Sequence, residues 1–233
     1  HNPENYPREG DGSGRYEAAK KAKAAGKIRF IGITNHRLKV AEEAVKSGLF
    51  DTLQFPFSYL ASEAEVALVK LCQEKNVGFV AMKALSGGLI TRADLAYAYI
   101  AQYGNVLPIW GIQKESELDE FISFIDNPPV LTEEFRQAIA EDRGQLSGNF
   151  CRGCGYCMPC PVGIQINNCA RMSQLIRRSP EAFWVSPDGQ ALMNKIDDCL
   201  GCNQCSAKCP YGLDTPLLLK QNLADYRENF VKG

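Results

Sequence analysis

The apolar positions of the first 126 residues fall into one repeating arrangement. Short apolar runs at 27–34 (KIRFIGIT), 52–57 (TLQFPF), 77–82 (VGFVAM) and 106–110 (VLPIW) are too short for helices, and each predicts a buried strand. Pro56 has no N–H to give to a ladder, so it is expected at the end of its strand. Helical spacing of apolar residues marks 13–25, 40–47, 61–75, 94–103 and 116–125, with Gly26, Gly48 and Gly104 as stops. Strands each followed by a helix predict parallel pairing through right-handed crossovers, an α/β fold. Four such units are half of a TIM (β/α)8 barrel, and a half-barrel alone would leave strand edges unpaired. Tyr59, Tyr97, Tyr99 and Tyr103 read as packing residues on or near helices, and Cys72 as core.

Beyond the last βα unit, Asp126-Asn127-Pro128-Pro129 breaks the rhythm, and 132–143 reads as a helix with acidic residues in its first turn. Residues 144–150 form a linker, which places a boundary near 145 and two domains at 1–145 and 146–233. Two further helices are expected, at 167–178 and from Thr215 to about 230, with Thr215 as the cap and Pro216 in the first turn. The chain of 233 residues is 45% hydrophobic with a net charge of -1, enough to bury a core and without the basic stripe of a nucleic-acid binder. No apolar run approaches the length of a membrane span.

Cysteine changes this picture most. Eight of the ten cysteines lie in two matching runs, Cys151-x2-Cys154-x2-Cys157-x2-Cys160-Pro161 and Cys199-x2-Cys202-x2-Cys205-x3-Cys209-Pro210. Three thiolates at this spacing wrap one side of an iron–sulfur cube, and in two-cluster ferredoxins the fourth cysteine, before proline, ligates the other cluster. That rule gives one [4Fe-4S] cluster Cys151, Cys154, Cys157 and Cys209, and the other Cys199, Cys202, Cys205 and Cys160. Disulfides fit less well, because cysteines packed this tightly leave little room for a network of pairs. A four-thiolate zinc site would use half of the thiols and give no reason for the repeated Cys-Pro. The shorter spacing before Cys160 departs from the second run; Cys169 is the reserve ligand, though a small buried hydrophobe reads better there. Exposed thiolate clusters belong in a reducing compartment, so a cytoplasmic location is expected.

The segments Gly26–Asn35, Leu53–Phe55, Ala81–Gly88 and Trp110–Glu120, followed by the cysteine region, resemble the second half of an aldo-keto reductase barrel with the tail of the iron–sulfur aldo/keto reductases. The resemblance implies a (β/α)8 barrel, a mostly helical ferredoxin-like two-cluster domain, and an NAD(P)-linked oxidoreductase acting on a small-molecule substrate. By the same resemblance His1, in His1-Asn2-Pro3, is the catalytic histidine that polarises the substrate carbonyl; a terminal histidine is also what a tag remnant would leave. Thr34, Asn35 and Gln54 would hold the nicotinamide carboxamide, and Leu85, Ser86, Gly87 and Gly88 would pass under the pyrophosphate. Gln113, Glu117 and Glu120 would face the adenosine. Lys114 is the nearby cation for a 2′-phosphate and gives NADPH a preference over NADH. Taken singly, the strand-end amides are ordinary turn and cap residues, and the polar helix positions a solvated face.

The family's catalytic tyrosine, lysine and aspartate come from barrel strands that this sequence does not contain. Because the chain opens on His1 in what looks like the middle of a loop, the first barrel half is expected in the same polypeptide or as a separate partner. Hydride moves two electrons and a cluster one, so a redox protein partner is also expected. Two alternatives remain open: an electron-carrier or docking module beside a non-catalytic barrel, and clusters that only hold the tail in place.

Overall fold

The computed structural model describes residues 5–146, 150–178 and 182–231. The chain divides into two compact units, one of His1–Leu85 with Arg92–Arg136, the other of Ser86–Thr91 with Gln137–Gly233.

The first unit alternates helix and strand: α1 (Arg15–Ala24), β1 (Gly32–Thr34), α2 (Leu38–Lys46), β2 (Thr52–Pro56), α3 (Glu63–Glu74), β3 (Gly78–Met82), α4 (Ala93–Ala101), β4 (Val106–Pro108) and α5 (Glu115–Asp126). The strands form one sheet in the order β1-β2-β3-β4, all parallel. This is the α/β arrangement expected from the repeat. Pro56 is the last residue of β2, and the ladder continues past it through Phe57 N–H to the Met82 carbonyl at 3.1 Å. The first strand is shorter than its apolar run. Ile31 N–H donates to the Asp51 carboxylate at 2.7 Å, so a side chain takes the place of a ladder partner, and Phe30 is left exposed.

Inward residues of the central strands, Leu53, Phe55, Phe79 and Ala81, are buried with Leu68, Val69 and Cys72 of α3. Phe57 packs its ring edge on Phe79 at 5.6 Å and on Tyr103 at 5.3 Å, and Tyr59 meets Tyr99 at 6.4 Å, so these tyrosines do pack in the core. Helix α3 starts on a capping box: Ser62 Oγ accepts from Glu65 N–H at 3.3 Å while the Glu65 carboxylate accepts from Ser62 N–H at 2.8 Å.

Helix α6 (Glu133–Leu146) carries the division between units, which falls after Arg136. The second unit then consists of α7 (Ile166–Cys169), α8 (Met172–Ile176), α9 (Ala182–Val185), α10 (Pro187–Asn194), a 3-10 turn (Lys195–Asp198), α11 (Gln204–Lys208) and α12 (Thr215–Asn229). The single helix expected over 167–178 is two short ones. Asn222 of α12 explains the break: its Nδ2 donates to the Ala170 carbonyl at 3.3 Å and its Oδ1 accepts from Ser173 N–H at 2.9 Å, satisfying groups that a continuous helix would pair internally. Thr215 is inside α12, and the cap is Asp214, whose carboxylate accepts from Leu217 N–H at 3.1 Å. Ile164, Ile166, Met172, Trp184, Met193, Leu219 and Tyr226 build this unit's core together with Cys151, Cys169 and Cys205. No helix among the described residues is long and apolar enough to cross a membrane.

Candidate metal centre

The two cysteine runs wind alike because their backbones repeat a left-handed pattern. Gly153 (φ 59°) and Gly155 (φ 80°) in the first run correspond to Gly201 (φ 62°) and Asn203 (φ 57°) in the second. Only glycine enters this region freely, and asparagine is among the side chains that tolerate it best. Each turn swings the next cysteine back toward the one before. The runs diverge after their third cysteine: Gln204–Lys208 forms a helical turn before Cys209, whereas the two residues before Cys160 make no helix.

The result is two hollows. Cys151, Cys154, Cys157 and Cys209 line one, closed by Ile166, Leu213 and Leu218. Cys160, Cys199, Cys202 and Cys205 line the other, with Ile164, Ile166, Pro216 and Leu219, and Cys157 also reaches its wall. The crossed grouping is thus present in space, and the short spacing still brings Cys160 to the second run. Ile166 stands in both walls. None of the ten cysteines is in a disulfide. Among the described residues, no three His, Cys, Asp or Glu side chains close in on a point as a single metal ion would need.

Burial pushes the Cys157 thiol up to about 12. It also raises Cys151 and Cys205, while the Gly153 N–H and the charge of Arg171 pull Cys151 back. Thiols in such apolar walls become thiolates when a positive centre binds them. A donor set of four sulfurs around a hollow fits a cationic iron–sulfide core. Cys169 is fully buried and raised to about 12 by burial, and its thiol points to the Leu192 carbonyl at 3.6 Å, a packing role.

Around the first hollow, Arg152 lies over the Phe150 ring at 5.0 Å and the Tyr211 ring at 4.5 Å, joining the start of the first run to the end of the second. Each hollow has one buried cysteine, Cys151 in the first and Cys205 in the second, while Cys202 of the second is exposed and neighbouring Leu200 is 70% exposed.

In the first unit, Thr34 and Gln54 are register partners on β1 and β2, and Asn35 N–H donates to the Gln54 carbonyl at 3.1 Å. Thr34 and Asn35 therefore stand at the C-terminal end of β1, where parallel α/β folds place ligands, whereas Gln54, expected at a strand end, is the middle residue of β2. Asn35 is buried, and its Oδ1 accepts from Arg37 N–H at 2.7 Å; Gln54 Nε2 has a weak contact to Met82 Sδ at 3.7 Å. Gln113, Lys114 and Glu117 gather at the start of α5, where the Glu117 carboxylate accepts from Gln113 N–H at 2.8 Å and Lys114 N–H at 3.2 Å. Those two bonds hold the Glu117 carboxyl below its ordinary range. Glu120 is exposed on the same helix. Leu85 packs against the cluster of Ala93, Phe121 and Phe124 in the first unit, whereas Ser86, Gly87 and Gly88 belong to the second unit. His1 lies outside the described residues.

Two charged residues escaped the sequence reading. Lys83 follows β3 with φ 57°, and its signal was a lone cation directly after an apolar strand. Arg171 sits between α7 and α8 with its Nε buried, and nothing local in the sequence marks it.

Residues 15–95 match the family model for the aldo/keto reductase family, and residues 150–214 match that for a 4Fe-4S dicluster domain. No curated protein matches the chain. Parallel βα units under the first match and cysteine-walled hollows under the second support the reading of an iron–sulfur aldo/keto reductase-like protein, an oxidoreductase with iron–sulfur centres.

Proposed function

We propose that the chain serves an NAD(P)-linked oxidoreductase that carries two [4Fe-4S] clusters for electron transfer. One would be held by Cys151, Cys154, Cys157 and Cys209, the other by Cys160, Cys199, Cys202 and Cys205. The observation that carries this reading is that the eight cysteines line two hollows, each walled by the three leading cysteines of one run and the last cysteine of the other, with Cys157 touching both. When bound, such clusters pass single electrons.

Within the protein, the exposed Cys202 and Leu200 would offer the second site to a redox protein. In the first unit, the Thr34 hydroxyl and the Asn35 and Gln54 amides would hold the nicotinamide carboxamide. Ser86, Gly87 and Gly88, all with positive φ, would turn the backbone under the pyrophosphate. Glu117 fixes the start of α5 and leaves Lys114 exposed for a 2′-phosphate, which favours NADPH. A small carbonyl or related substrate and a reducing, cytoplasmic setting complete the reading.

A second reading is that the clusters only hold the tail together, favoured by the presence of Cys151 and Cys205 in the core of their unit. The deciding measurement is iron, acid-labile sulfide and zinc per chain after anaerobic purification, followed by reduction with dithionite. About eight irons and eight sulfides, reducible with an EPR signal, are expected. Zinc without sulfide overturns the assignment; full iron that no reductant reaches leaves the structural reading. Calorimetry with NADPH is expected to give saturable binding that weakens when Gln54 is replaced by alanine, and no heat at millimolar NADPH removes the nicotinamide site.

A further inference from the structure

Arg171 is half-buried where two loops from distant parts of the sequence close on its guanidinium. Its Nη2 donates to the Gly87 carbonyl at 3.2 Å. A methyl group added to Gly87 would lie 2.8 Å from Nη1, and one added to Gly153 would lie 3.0 Å from Cζ. Both glycines have positive φ, so backbone approaches the planar group from the Gly87 loop and from the first cysteine loop. Gly153 N–H in turn donates to Cys151 Sγ at 3.3 Å. The Nε is buried with no partner, which leaves the charge incompletely satisfied by the protein. All of these residues belong to the second unit.

We propose that Arg171 is a positioning residue that raises the electron affinity of the Cys151 site and ties it to the Gly87 loop. The inference rests on the two-cluster reading given above. If a cluster is held by Cys151, Cys154, Cys157 and Cys209, its reduction by an external one-electron donor such as dithionite would add one negative charge to the site with no bond made or broken. A guanidinium one glycine away would stabilise that added charge, and its partial burial weakens the screening that water would supply. Arg152 is also near this site, but its charge rests on the faces of Phe150 and Tyr211. Among the described residues lining the second hollow there is no arginine or lysine.

The test is an EPR-monitored potentiometric titration of the iron-loaded wild type, Arg171→Met and Arg171→Lys. In Arg171→Met, one of the two signals is expected to need a more negative potential. At fixed potential its reduced-to-oxidised ratio should fall about tenfold, equivalent to about 59 mV for a one-electron couple. The other signal should stay in place, and Arg171→Lys should recover part of the shift. Identical titrations of all three proteins, or equal shifts of both signals, overturn the proposal. Should Arg171→Met lose iron, Gly87→Ala decides, because its new methyl displaces the guanidinium while the charge stays in the chain. One shifted signal then supports the proposal, and two unshifted signals overturn it. Iron and sulfide content of the wild type tests the two-cluster reading itself, independently of any difference among the variants.

Discussion

At Gly189 two residue-level effects oppose each other, and their sizes decide the outcome. The residue lies inside α10, where replacing glycine by alanine ordinarily stabilises by about 0.5–1 kcal/mol. Yet a methyl group here would stand 2.2 Å from the Phe183 carbonyl oxygen and 2.7 Å from Trp184 Cα. Backbone cannot swing away as a side-chain tip can, and overpacking of this kind costs about 1–3 kcal/mol. Gly189→Ala is therefore expected to lower the melting temperature by several degrees in a thermal unfolding scan, whereas an unchanged or raised value would show that α9 yields without cost. Glu117 shows how far single residues were legible. Its carboxylate accepts from Gln113 and Lys114 N–H and so caps α5, a role the sequence reading did not assign. The resemblance gave the same residue an adenosine role, and one-dimensional spacing cannot separate the two. Arg171 was not legible at all, since the groups that give it meaning are Gly87 and Gly153, remote from it in the chain.

Among the elements, the strands were legible because alternating burial and flanking turns are local signals, and they gave parallel order directly. Their ends were less so: Asp51 intercepts Ile31 N–H and shortens β1, a contact between segments that no window of sequence contains. The break between α7 and α8 has the same origin in Asn222, a buried amide that also donates to the Leu218 carbonyl of its own helix at 2.8 Å. Removing it strands the Ala170 carbonyl and the Ser173 N–H in a buried setting, at about 1–3 kcal/mol for unsatisfied groups. Asn222→Ala is expected to lower the denaturant midpoint without changing the slope. Its mark in hydrogen exchange should be faster loss of protection at Ser173 than at Leu53 or Phe79. Uniform loss across both units would mean that the amide acts on global stability and not on this junction.

For the whole molecule, the division into units was only partly within reach of sequence, because Ser86–Thr91 follows β3 directly yet packs with segments far along the chain. Arg178 shows why: it donates to the Leu89 carbonyl at 3.0 Å and pairs with Asp142 at 3.2 Å, so one guanidinium collects the loop and α6. The units also differ in what sustains them. The first has a parallel sheet with buried apolar residues packed on it; the second relies on helices of four or five residues at α7, α8, α9 and α11. Helices shorter than about 12–15 residues are marginal without outside support. Here the support is a core whose members include Cys151 and Cys205, with Cys157, Cys160, Cys199 and Cys209 packed against it. If iron–sulfide cores bind those sulfurs, much of that binding free energy is folding free energy. Stripping iron with a chelator under mild oxidation is therefore expected to abolish hydrogen-exchange protection across α7 to α12 while amides of β2 and β3 keep theirs. Far-UV circular dichroism should show a matching partial loss of helix. If the second unit instead kept its protection without iron, its apolar residues would suffice for the fold, and the eight cysteines would be there for electron transfer alone.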